Sequence, residues 1–167
     1  ADAYDRLQVA FRQRLKQADP DIEAVAFNFG AGNFDDAKGY LAWFPRTLQD
    51  YVYLGFHEYG WPALSPELDR EAASSAGSYR RVMDDIRRRH GDRHRVIIGE
   101  AGLARMYKYP KSEEGDVGWL FPPDSVSQQK YWGSLEWYNA YLSHDDYVLG
   151  CCLFEVGHSG RWESFRH

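Results

Sequence analysis

The chain has 167 residues, of which 44% are hydrophobic and 27% charged, and its net charge is −5. Such a composition fits one globular domain over residues 1–167 and excludes a disordered chain. The acidic balance gives no electrostatic case for nucleic acid or for an anionic membrane surface. No apolar run approaches the ~18 residues of a transmembrane helix.

Residues 2–18 place Tyr4, Leu7, Phe11, Leu15 and Ala18 three and four apart, which predicts a helix with one apolar face, stopped by Asp19-Pro20-Asp21. Glu23 to Phe29 reads as a short strand leading into Gly30-Ala31-Gly32. That glycine-rich turn lacks the Lys-Ser/Thr of a phosphate loop and is discounted. Phe34–Leu48 is a helix or an irregular stretch, with Pro45 arguing against one long helix. A second strand, Tyr51–Phe56, runs into His57-Glu58-Tyr59-Gly60-Trp61-Pro62. Residues 67–90 are expected to be helical, with Ala72, Ala76, Tyr79, Met83 and Ile86 on one face and Gly91 as the stop. The Arg and His residues between Arg87 and Arg95 fit a solvated helix end that complements the macrodipole.

A third strand, Arg95–Gly99, delivers Glu100, and a long loop over residues 102–124 carries Tyr107, Tyr109, Trp119 and Phe121. Ser127 is placed to cap a helix whose buried face holds Tyr131, Leu135, Tyr138 and Leu142. The fourth strand, Tyr147–Phe154, ends at Glu155, and the tail contains Trp162 and Phe165. Cys151 and Cys152 are neighbours on that strand and point to opposite faces, so they read as two buried small hydrophobes rather than a disulfide. They leave the redox compartment open. The first residues carry no signal-peptide apolar region, and the sequence leaves the location open, with secretion among the alternatives. No metal-ligand spacing occurs, and no metal or cofactor is expected.

Four apolar strands separated by helices predict parallel (β/α) units, whose functional groups gather at the carboxyl ends of the strands. Those ends hold Asn28, His57-Glu58-Tyr59, Glu100 and Glu155. Carboxylates at strand ends suit glycoside hydrolysis, which uses one ionised and one protonated carboxyl group. Six Trp, twelve Tyr and nine Phe, 16% of the chain, exceed what one core needs, and aromatic rings stack on sugar faces. His57 and Tyr59 share a face while Glu58 turns away, so Glu58 is the weaker member of any carboxylate pair. Tyr59 could donate to Glu100, and His57 could orient a carboxylate or bind a substrate hydroxyl. Trp61 is the best stacking platform. Asn28, Tyr107, Trp119 and Trp162 are further candidate sugar contacts.

The segments VIIGEAG at Val96–Gly102 and FHEYGWP at Phe56–Pro62 resemble the later strands of clan A glycoside hydrolases, the (β/α)8 cellulase-like group that includes family 5. There the sixth strand often ends in His-x-Tyr and the seventh in a Gly-Glu-Phe-Gly-like motif with the nucleophile. Gly99-Glu100-Ala101-Gly102 matches all but the aromatic residue. Gly150–Glu155 is similar to the eighth strand and Glu23–Asn28 to the fifth. The family's acid/base lies in an Asn-Glu pair ending the fourth strand, and this sequence contains no Asn-Glu.

A complete barrel needs about 250 residues. The resemblance therefore implies the second half of a TIM barrel, strands five to eight. Glu100 would be the nucleophile of a retaining hydrolase of β-linked saccharide. The acid/base would come from a preceding half, or from Glu155 if the geometry allows. Expected partners are a carbohydrate and either the N-terminal half of the barrel or a second copy. The alternatives are a non-catalytic carbohydrate-binding protein and a self-associating half-barrel scaffold.

Overall fold

The computed structural model describes residues 1–30, 37–65, 76–105, 117–120 and 125–155. In chain order these form α1 (Asp2–Ala18), β1 (Val25–Phe29), α2 (Ala37–Trp43), α3 (Pro45–Asp50) and β2 (Tyr53–Gly60). Then come α4 (Tyr79–His90), a 3-10 turn (Gly91–Arg93), β3 (Arg95–Arg105), β4 (Val117–Gly118), α5 (Gln128–Ser143) and β5 (Val148–Leu153). The fold is mixed α/β. Strands β1, β2, β3 and β5 pair in parallel in that spatial order, and β4 adds a short antiparallel pairing to the end of β3.

Pro45 opens α3 in its first turn, where its missing N–H costs nothing, so the stretch splits into two short helices at Phe44. Strand β3 runs past Gly99 to Arg105, because β2 continues beside it through Gly60. His57, Glu58, Tyr59 and Glu100 therefore lie inside strands rather than beyond them, and residues 102–105 are strand where a loop is expected from sequence. Of the helix expected over residues 67–90, the described part is Tyr79–His90.

Helices cover the sheet face to which Phe56 points. Phe56 meets Tyr40 of α2 and Tyr79 of α4, and Tyr4 of α1 packs on Phe29 and Phe44. Leu54, Val96 and Ile98 are fully buried beneath this layer. Much of the aromatic surplus is spent here, with Tyr40, Phe44, Tyr51, Tyr79, Tyr131 and Tyr138 all buried. Stacked and edge-on ring pairs of this kind add to the area they bury.

Two expectations need correction. The apolar face predicted for α1 is packed only in part: Tyr4 and Leu15 lie against the core, but Leu7 is 60% and Phe11 54% exposed. Nor are both cysteines buried: Cys151 is half-buried and Cys152 exposed, on a strand that among the described residues has a neighbour on one side only.

The rest of what holds α1 is polar. Asp5 is fully buried, and its Oδ1 accepts from Thr47 N at 2.8 Å and Thr47 Oγ1 at 2.7 Å. Its Oδ2 accepts from Arg46 N and Arg46 Nη1, both at 3.2 Å. Burial alone would raise the Asp5 pKa, but the bonds from Thr47 and Arg46 outweigh it and hold the carboxyl below its usual range. A depressed native pKa gives stability that is present above the unfolded value of about 4 and lost as pH falls through the native one. Asp5→Asn should therefore lower Tm at pH 7, and the gap to wild type should close below about pH 4. A gap independent of pH in thermal melts would show that the charge of Asp5 contributes nothing.

Candidate active site at the carboxyl ends of the strands

Strand alternation sends Phe56 and Glu58 into the helix layer and leaves His57 and Tyr59 half-buried on the opposite face. Glu100 joins them through a β-bulge. Phe56 pairs with Ile98 and His57 with Glu100, so Gly99 is an extra residue in β3. Unbroken alternation would put Glu100 on the side of buried Ile98. The bulge shifts the phase by one and sets Glu100 beside His57, while Ala101 returns to the core.

Tyr59 Oη donates to Glu100 Oε2 at 2.8 Å, and His57 Nδ1 stands 3.3 Å from the same oxygen. The Glu100 side chain is 35% exposed. Both contacts fall on one oxygen, and Oε1 has no hydrogen bond to any described residue. The carboxylate is thus oriented by two neighbours through one oxygen, and its side chain stays partly exposed.

Asn28 enters from β1. Phe27 and Asn28 have φ of 79° and 48°, in the left-handed region that side chains other than Gly avoid, and β1 loses its regular register there. Such strain is stored where surrounding structure imposes it. A Cβ at Gly99 would stand 2.5 Å from Asn28 Oδ1, and one at Gly55 would come closer still. Two glycines on adjacent strands therefore leave the niche that the Asn28 amide fills.

Glu58 has a different task. Its Oε1 accepts from Tyr79 N at 2.8 Å and Ser78 Oγ at 3.0 Å, and its Oε2 from Gly77 N and Tyr138 Oη, both at 2.6 Å. Burial pushes its carboxyl above the ordinary range, and the four donors pull the other way. Lying between His57 and Tyr59, it ties the end of β2 to α4 and α5.

Glu155 is half-buried at the same end of the sheet, where Phe154 N donates to Ala101 O at 2.9 Å. Trp61, half-buried, follows β2 directly and lines a cavity of about 870 Å³. Trp119 is buried and stacks on Tyr131 with ring centres 4.7 Å apart. Tyr107 and Trp162 lie outside the described residues. No group of three or more potential metal-ligating side chains occurs among the described residues. Sequence reading missed the Gly99 bulge, since period-two patterning assumes an unbroken strand. It also missed Trp137 and Lys130 on the cavity wall, although a Trp off the apolar face of α5 was a usable signal. No protein-family model matches the chain, and neither curated proteins nor solved structures gave a match.

Proposed function

We propose that the chain is the strand-five-to-eight half of a (β/α)8 glycoside hydrolase that acts on β-linked saccharide with retention, Glu100 being the nucleophile. One observation carries the reading. Glu100 is oriented through Oε2 by Tyr59 and His57, while its Oε1 takes no hydrogen bond from any described residue, and it lies in the carboxyl-terminal half of β3 in a parallel sheet. A nucleophilic carboxylate needs a fixed direction and one free oxygen. Tyr59 and His57 position it, Trp61 offers a ring to the sugar, and Asn28 offers an amide. Glu155 stands at the neighbouring strand end as the acid/base candidate within this chain. The test uses a dinitrophenyl β-glycoside, whose leaving group departs without acid assistance. Release of the phenolate and a glycosyl adduct on Glu100 in the intact mass are expected, and adduct formation that survives Glu100→Gln would remove the assignment.

The half-barrel reading draws support from what the molecule leaves uncovered. Among the described residues the sheet ends at β1 on one side and β5 on the other. Leu7 and Phe11 are exposed on α1, and Leu149 and Leu153 on β5. Apolar side chains and unpaired strand edges at both ends call for further strands of the same kind. Those strands come from a preceding half of the barrel or from a second copy. A solution mass near twice 19.4 kDa is expected for the second copy, and a monomer leaves the preceding half.

A further inference from the structure

The cavity beside Trp61 opens between the turn after β2 and the first turns of α5. Trp61, Ser65, Ser127, Lys130, Ser134 and Trp137 are among the residues on its wall. The turn and the helix are tied together, because Ser134 Oγ accepts from Leu64 N at 2.6 Å. Trp137 is backed by Tyr141, with ring centres 5.0 Å apart, and the Arg80 guanidinium lies 3.5 Å over that tyrosine. The indole is nevertheless 40% exposed. An aromatic ring supported from behind already holds its orientation, so a ligand laid on it immobilises little that was free.

The charge of the wall is unusual for a chain of net charge −5. Among the described residues the wall contains no aspartate or glutamate, and its one charged group there is Lys130, which makes no ion pair with any described residue. Flat indoles accept the C–H face of a pyranose, and serine hydroxyls take its oxygens. An ammonium that no described carboxylate faces favours a negatively charged ligand. We propose that this cavity is a subsite for an acidic saccharide whose sugar units carry carboxylates. The inference rests on the carbohydrate-active reading above and adds the class of sugar.

Two probes separate the terms: cellotetraose, and the β-1,4-linked tetramer of glucuronic acid, which has the same backbone with a carboxylate at each C6. Equilibrium binding is followed by calorimetry on the Glu100→Gln chain, which does not turn over. The acidic tetramer should bind about fivefold more tightly at low salt, and the preference should fade at high ionic strength. Lys130→Met should abolish the preference and leave cellotetraose binding as it was. Trp137→Ala should weaken both ligands about tenfold.

Equal affinity for the two tetramers, a preference that survives Lys130→Met, or no binding of either would overturn the proposal. The two readings fail separately. Lys130-dependent binding without a glycosyl adduct on Glu100 in the wild-type chain would keep the subsite and remove the catalytic role. An adduct without any preference would do the reverse.

Discussion

Glu100→Gln should slow glycosylation of the protein by an activated β-glycoside at least about 10³-fold, the scale of loss when a nucleophile is removed. The amide is a poor nucleophile, and it lacks the negative charge that stabilises an oxocarbenium-like transition state. The fold should survive the change. Glu100 is partly exposed and its side chain is held by two neighbours, so loss of stability should stay within about 1 kcal/mol. Tyr59→Phe isolates the positioning role: the carboxylate stays and one charge-assisted hydrogen bond goes, which predicts about a tenfold loss in rate. Single-turnover kinetics with unchanged thermal melts would separate these effects from unfolding. Equal rates for wild type and Glu100→Gln would rule out Glu100 as the reacting group.

The largest loss of stability is expected at Glu58, and from a substitution that looks conservative. Each carboxylate oxygen faces a backbone N–H, Oε1 that of Tyr79 and Oε2 that of Gly77. In Glu58→Gln one of those oxygens becomes NH₂, and either amide orientation sets two donors against each other in a fully buried site. A buried donor left without an acceptor, together with loss of the bond from Tyr138 or Ser78, should cost about 3–5 kcal/mol. For a chain of this size that lowers Tm by roughly 10 °C. Circular dichroism melts test it, and a shift of only a degree or two would mean that the network contributes little. Because Glu58 lies between His57 and Tyr59, the variant should also lose glycosylation activity under conditions where it remains folded.

The β/α alternation was legible because apolar strands and period-3.6 helices leave different marks, and α1 and the Ser127 cap of α5 fall where those marks put them. The turning of Glu58 away from His57 and Tyr59 was legible for the same reason, since it follows from alternation alone. The failures share a cause. Leu7, Phe11 and the β5 residues are apolar without being buried, because hydrophobicity reports what a side chain prefers and not whether a neighbour covers it. Asp5 gave no signal at all. Its partners, Arg46 and Thr47, are some forty residues away, and a buried acid in a helix looks like a solvated one until the two segments meet.

The bulge in β3 carries one more consequence. Gly99 is the surplus residue in a ladder that pairs Ile98 with Phe56 and Glu100 with His57. A chain lacking Gly99 would keep both of those pairs in an uninterrupted ladder, with Glu100 still facing His57 and Ala101 still in the core. Deletion, normally the most disruptive change in a strand, is here the mildest way to ask what local twist and the Asn28 niche contribute. The length of β3 and the orientation of its carboxylate are thus separable variables, and natural or engineered chains can vary the first without surrendering the second.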